Sequence, residues 1–317
     1  MKFSVGLPKS NDKFVDDIIE NKAHIQEVYF SFPGMTSGRG SMSADDELSK
    51  WEQYELFKGY IHRFAENNIP LNILFNANCY GKYSQSRALF DQVGTVTDSV
   101  MNMGELKSVT TTSPLIARFV KDNFPHLEVR ASVNMEIGSV QGMEYLKDVY
   151  DGFYMKREYN RDFDKIKELS AWCKDNGKKL YMLANSGCLN FCSAHNFHDN
   201  LVAHEDELRS MDNAYSFSGV CKEYLKDEAH RISLIKDTNF IRPEDLYKYE
   251  PYFESVKLAT RVNTSPSRVL KSYVDAKYSG NILELLEPVH NIYPYVLENG
   301  EPLRFVKIED KGVFSLC

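Results

Sequence analysis

Short runs of branched and aromatic apolar residues alternate along this chain with longer segments whose apolar positions recur every three to four residues. The short runs fit buried strands and the longer ones fit amphipathic helices. Residues 3–7 are the first strand candidate, and a helix over 11–21 follows with Phe14, Ile18 and Ile19 on one side. Further strands are expected at 26–32, 71–76, 106–111, 127–133, 152–155, 179–184 and 255–259. A long helix is expected over 45–67, and Pro114 opens another, as a residue tolerated in a first helical turn. Eight strands separated by helical stretches predict a closed (β/α)8 TIM-barrel-like fold in one domain over 1–317, with a doubly wound open sheet as the alternative. The barrel makes the sharper statement about position, because its active sites lie on the loops that follow the strand ends. The seventh connection, 187–252, is long enough that it should carry structure of its own, including an extra strand at 232–235 and a helix that begins at 241–246 around Pro243.

Composition adds exclusions. With 317 residues and 43% apolar content the chain buries a substantial core. A net charge of -7 argues against a broad, non-specific nucleic-acid surface, though not against a local basic groove. Neither a membrane-length apolar run nor a signal-peptide pattern is present, so a cytoplasmic protein is expected. Six cysteines in a chain of this length do not make a disulfide scaffold, and a reducing compartment leaves them for metal or catalysis.

Polar and thiol residues gather at the expected strand exits. Cys79 follows the third strand, Glu136 the fifth, Arg157 and Glu158 the sixth, Cys188 and Cys192 the seventh, and Arg261 the eighth. The turn after the seventh strand also holds His195 and His198, and apolar burial does not explain two thiols and two imidazoles there. A soft metal or a cluster would use them directly. The Gly-rich loop 34–40 lacks the Lys-Ser/Thr ending of a phosphate cradle and reads as an active-site loop or a plain surface loop. Arg157, Glu158 and Arg261 fit either an ion-pair network closing the mouth or a site in which the arginines grip an anion while Glu158 or Glu136 moves a proton.

The segment Asn185-Ser186-Gly187-Cys188-Leu189-Asn190-Phe191-Cys192 resembles the N-x-G-C-x-x-x-C segment of the peptidase U32, or collagenase-like, family. Ile241-Arg242-Pro243-Glu244-Asp245-Leu246 and Val256-Lys257-Leu258-Ala259-Thr260-Arg261 resemble its following block, and Arg157-Glu158 matches its Arg-Glu pair. The stretch from Val269 to Leu283 resembles its closing helix. The resemblance implies a TIM-barrel-like fold. In several members it implies an oxygen-sensitive [4Fe-4S] cluster held by four cysteines and used in oxygen-independent hydroxylation of RNA or a quinone precursor; other members carry a peptidase label. The family's usual C-x6-C pair upstream of the turn is absent here.

A cubane cluster usually needs four thiolates. Cys173 falls in a helical pattern, where a buried small hydrophobe is the ordinary explanation, and Cys317 ends the chain. The expected cluster ligands are therefore Cys79, Cys188, Cys192 and Cys221. Zinc is the competing cofactor, with Cys188 and Cys192 joined by His195, His198 or Cys221. Two function classes follow. One is a U32-like iron-sulfur enzyme modifying RNA, a small aromatic or a peptide by redox or hydroxylation chemistry, with Arg157, Arg261 and Glu158 arranging substrate. The other is a metal-dependent peptidase or hydrolase with a mouth carboxylate as base. A partner subunit with a structural metal site is a third, non-catalytic reading.

Overall fold

The computed structural model describes residues 1–38 and 48–289 and the backbone of 296–297. Strands β1 (Phe3–Gly6), β2 (Ile25–Phe30), β3 (Leu71–Phe75), β4 (Leu106–Thr111), β5 (Glu128–Ala131), β6 (Gly152–Tyr154), β7 (Lys179–Leu183) and β8 (Val256–Leu258) form a closed barrel in that order. Every neighbouring pair is parallel, and β8 returns to β1 with Val256 opposite Phe3. The eight expected strands and the closed (β/α)8 architecture are thus both present.

Helices α1 (Asp12–Glu20), α2 (Lys50–Glu66), α3 (Arg87–Met103), α4 (Pro114–Asn123), α5 (Val140–Glu144) and α6 (Phe163–Asp175) follow β1 to β6. Their starts are written locally. Asn11, Ser86 and Ser113 accept backbone N–H bonds as N-caps, Asp162 accepts two, and Ser49 forms a reciprocal capping box with Glu52. Each helix lays an apolar stripe on the barrel: Phe57, Ile61 and Phe64 on α2, Val93 and Val100 on α3, Ile166, Leu169 and Cys173 on α6. Full burial of such side chains is worth about 1.5–3 kcal/mol each. Residues 45–47 of the expected second helix, Arg39 and Gly40 of the Gly-rich loop, and Cys317 lie outside the described residues.

The barrel interior is polar to a degree that the apolar runs do not announce. Arg130 Nη1 lies 2.6 Å from Glu27 Oε1, and Ser4, Asn72 and Ser108 also donate to the Glu27 carboxylate at 2.9–3.0 Å. Arg130 Nε and Tyr181 Oη hold Glu128 Oε1 at 2.8 and 2.6 Å. Every polar group needs a partner at this depth, and the strands supply one another's.

Between β7 and β8 the chain forms α7 (His195–Ala203), α8 (Glu205–Arg209), α9 (Val220–Tyr224) and α10 (Ser233–Lys236), and α11 (Pro266–Val274) follows β8. The long connection therefore carries its own structure, but the extra strand expected at 232–235 is a correction: that run is α10. Four apolar-rich residues do not distinguish strand from helix. Here the 3-10 turn Glu228–His230 feeds straight into a helical turn that buries Leu234, and only Thr238 bridges toward Leu189. The expected helix at Pro243 is a 3-10 helix, Pro243–Lys248, with Pro243 in its first turn.

Candidate active site

The loop after β7 is built before it is functional. Buried Asn185 donates to the carbonyls of Ala259 and Leu285 and accepts from Ala259 N–H at 2.6 Å, tying the exit of β7 to that of β8. Gly187 N–H then donates to Glu287 O, and a Cβ on Gly187 would sit 2.3 Å from Pro288 O. That close approach explains the glycine of the N-x-G-C segment. On the other side Asn160 bonds the carbonyls of Leu183 and Asn239, while Asn239 bonds that of Cys188, each at 2.7 Å. Arg161 stacks on Phe240 and donates to its carbonyl and that of Ile235, pinning the far end of the long connection.

Three of the four expected thiols come together on this platform. Burial and the neighbouring Cys188 and Cys192 push the Cys221 thiol above its usual range, and Cys192 and Cys221 line one open cavity of about 500 Å3. Cys188 and Cys192 thus lie near Cys221 although they arrive from a separate segment. Cys79 keeps different company. Its sulfur accepts from Gly81 N–H at 3.3 Å, and the His204 imidazole lies against the same turn. His198 meets Phe217 edge-on, and its ring and the Cys221 sulfur both lie within 4.0 Å of the position a Gly219 Cβ would take.

Beside the thiols stands an acid-base group. Arg157 is buried and donates from Nη1 to Cys188 Sγ at 3.6 Å, while its Nη2 lies 2.7 Å from His195 Nε2. A guanidinium only donates, so His195 Nε2 accepts and Nδ1 carries the hydrogen toward Glu136 Oε1, 2.5 Å away. Asp199 Oδ2 is 3.4 Å from the same Nε2. Burial and the Arg157 charge push the His195 imidazole below its usual range, against the pull of Asp199 and Glu136, which agrees with a neutral ring. Glu136 is a non-glycine residue in the left-handed region, at φ 52°, the kind of strain that concentrates at functional sites. Glu158 Oε2 is buried without a hydrogen-bond partner. One ligand atom each from Glu136, Glu158 and His195 lies within 4.8 Å of the others, which makes them the group of three or more among the described residues spaced to hold a metal ion. Arg261, from the exit of β8, instead donates to Ser31 and Ser37 at 2.7 and 3.2 Å and so fastens the loop after β2.

His204, Glu207 and Asp199 were not singled out in the sequence. Asp199 stands four residues after His195 and Glu207 three after His204, spacings that put each pair on one helical face but look the same as surface ion pairs.

A closed parallel barrel with a thiol-bearing loop after its seventh strand and acid-base residues at its mouth defines the class: this is a (β/α)8 barrel. The U32 peptidase Mk0906 has the same fold, with a TM-score of 0.56 over 81% of this chain and 91% of that one at 11% identity. In sequence the chain is 26% identical over 283 residues to "Uncharacterized protease MJ1657" of Methanocaldococcus jannaschii, covering 86% of this chain and 79% of that protein. No protein-family model matches the chain. Among the described residues no helix is long and apolar enough to cross a membrane.

Proposed function

We propose that this barrel is an iron-sulfur enzyme, with Cys188, Cys192 and Cys221 holding a [4Fe-4S] cluster beside the acid-base group at its mouth. What supports the reading is that Cys192 and Cys221, from separate segments, line one cavity, with Cys188 four residues before Cys192 on the same loop and near enough to raise the Cys221 thiol. The donor set suits a cluster better than zinc. Tetrahedral zinc brings its thiolates within about 4 Å of one another, whereas a cubane binds each thiolate to a different iron and holds them farther apart. Among the described residues, none of Cys188, Cys192, Cys221 and His198 joins a set of three ligand atoms within 4.8 Å. When bound, such a cluster supplies one-electron transfer and, with three protein thiolates, one iron able to take an oxygen or nitrogen ligand.

The chain's own residues do the rest. Arg157 holds positive charge against Cys188 and at the same time fixes the His195 tautomer. Neutral His195, its Nε2 held by Arg157 and its Nδ1–H by Glu136, keeps the two side chains in place, and Glu158 offers an unoccupied buried oxygen as a base. The substrate is one with a transferable proton, in the class of RNA, a small aromatic or a peptide. Protein purified without oxygen should be brown and contain about four iron and four sulfide per chain. Colourless, iron-free protein from cells with intact cluster assembly overturns the reading.

A second reading has a specific observation behind it. Glu136, Glu158 and His195 are spaced for a divalent metal, and the relative from Methanocaldococcus jannaschii is named a protease. A metal held there would activate water for amide hydrolysis. In that case Glu158→Gln abolishes peptide cleavage by metal-loaded protein, while cysteine variants leave it intact.

A further inference from the structure

One nucleophile at the mouth is unused by that chemistry. Cys79 sits on the loop after β3, partly exposed, with the Gly81 N–H donated to its sulfur at 3.3 Å. His204, at the end of α7, closes over the same turn: a Cβ on Gly81 would lie 3.5 Å from its Cε1. On the far side of the ring, His204 Nδ1 is 2.8 Å from Glu207 Oε2. A carboxylate accepts, so Nδ1 donates to Glu207 and Nε2 is the nitrogen left to face the thiol. Asn78 donates to Asp199 Oδ2 at 3.5 Å, which links the Cys79 loop to the middle of α7 and fixes thiol and imidazole relative to each other.

We infer that Cys79, His204 and Glu207 form a second catalytic centre, a thiol acyl-transfer site that acts on an amide or ester of a small acyl group. Nucleophile, base and orienting carboxylate stand in the order that covalent acyl transfer requires. A cavity of about 300 Å3 lined by His204 and Glu207, though not by Cys79, opens beside the pair, walled by the loop at Thr36 and Ser37 and by Gln53 and Tyr54 of α2. The electrostatics agree. The hydrogen bond from His204 pulls the Cys79 thiol below its usual range, and the same bond, with Glu207, raises the imidazole. The resting pair is thus biased toward thiolate and imidazolium, the reactive form of a cysteine nucleophile.

The chemistry balances within the site. The Cys79 thiolate adds to the acyl carbon and forms a C–S bond. The bond from that carbon to nitrogen or oxygen breaks, and the departing group takes the proton from His204. Water then gives a proton to His204 and its oxygen to the acyl carbon, the C–S bond breaks, and the thiolate returns.

The test uses the anaerobically purified full chain with p-nitrophenyl acetate and iodoacetamide as probes. The site predicts a stoichiometric burst of nitrophenolate, with the acetyl group mapped to Cys79 by peptide mass. His204→Gln should slow that burst at least about a hundredfold, the usual contribution of a positioned base. In wild-type protein Cys79 should also alkylate at pH 6.5 at least about tenfold faster than in His204→Gln, because an unassisted thiol is mostly protonated there. The Cys79→Ser variant should lose the burst and keep its iron, so failure here is distinguishable from failure of the cluster. Acetylation spread over the other cysteines, a burst unchanged in His204→Gln, or loss of iron from Cys79→Ser each overturns the inference.

Discussion

Lys257 lies buried between the rings of Tyr29 and Tyr154, with its ammonium 4.0 and 5.3 Å from their centroids. Burial, with Arg261 nearby, pushes that ammonium down to about 7 against the pull of Glu27 and Glu287. An unfolded lysine titrates near 10.4, so between the two values the unfolded chain binds a proton that the folded chain has shed. Stability therefore rises with pH across that window and falls as pH drops back toward 7. Urea titrations should find the wild-type protein more stable at pH 9.5 than at pH 7.5 by about 1 kcal/mol or more, and Lys257→Met should flatten that difference. The same scale marks a limit of sequence reading. Cys188 and Cys192 were legible as candidates because thiols in a strand-exit turn have no ordinary packing role, Cys221 because it lies in the long connection after β7, and Glu136 and Arg157 because they follow strands. His204 and Glu207 were not, since a His and a Glu three apart on a short charged helix describe any solvated surface until Cys79 is seen beside them.

The exit of β7 is where element and site meet. Its Asn185-Ser186-Gly187 segment is a structural clamp: Asn185 joins β7 to β8, and Gly187 lies against the chain at Pro288. Gly187→Ala forces a methyl group into a carbonyl oxygen and should cost about 1–3 kcal/mol in denaturant unfolding, with iron retention falling as Cys188 shifts. Inside the barrel, Glu27 and Arg130 present a different case. Removing Glu27 leaves the buried Arg130 charge with Glu128 alone, so Glu27→Leu should destabilise by about 3 kcal/mol, whereas adding Arg130→Met should recover part of the loss. Equilibrium unfolding of the single and double variants reads this directly. Strands were readable because each is a short apolar run between turn residues. The interior network was not, because Glu27 and Arg130 meet only when β2 and β5 close into one barrel. The run at 232–235 misled for the opposite reason, as local apolar character alone carries no period over four residues.

At the scale of the whole molecule, the barrel gathers loops that are far apart in the chain, and α7 links two chemistries across its mouth. His195 at its start faces Arg157 and Glu136, and His204 just past its end faces Cys79. That division separates Cys79 from Cys188, Cys192 and Cys221, which the sequence alone could only group as the four cysteines not otherwise explained. The most direct measurement is the iron and sulfide content of the four single variants Cys79→Ser, Cys188→Ser, Cys192→Ser and Cys221→Ser, each purified without oxygen beside the wild-type protein. The account predicts about four iron per chain in the wild type and in Cys79→Ser, and loss of most iron and visible absorbance in the other three. Wild-type protein without iron, or equal iron in all four variants, would contradict it.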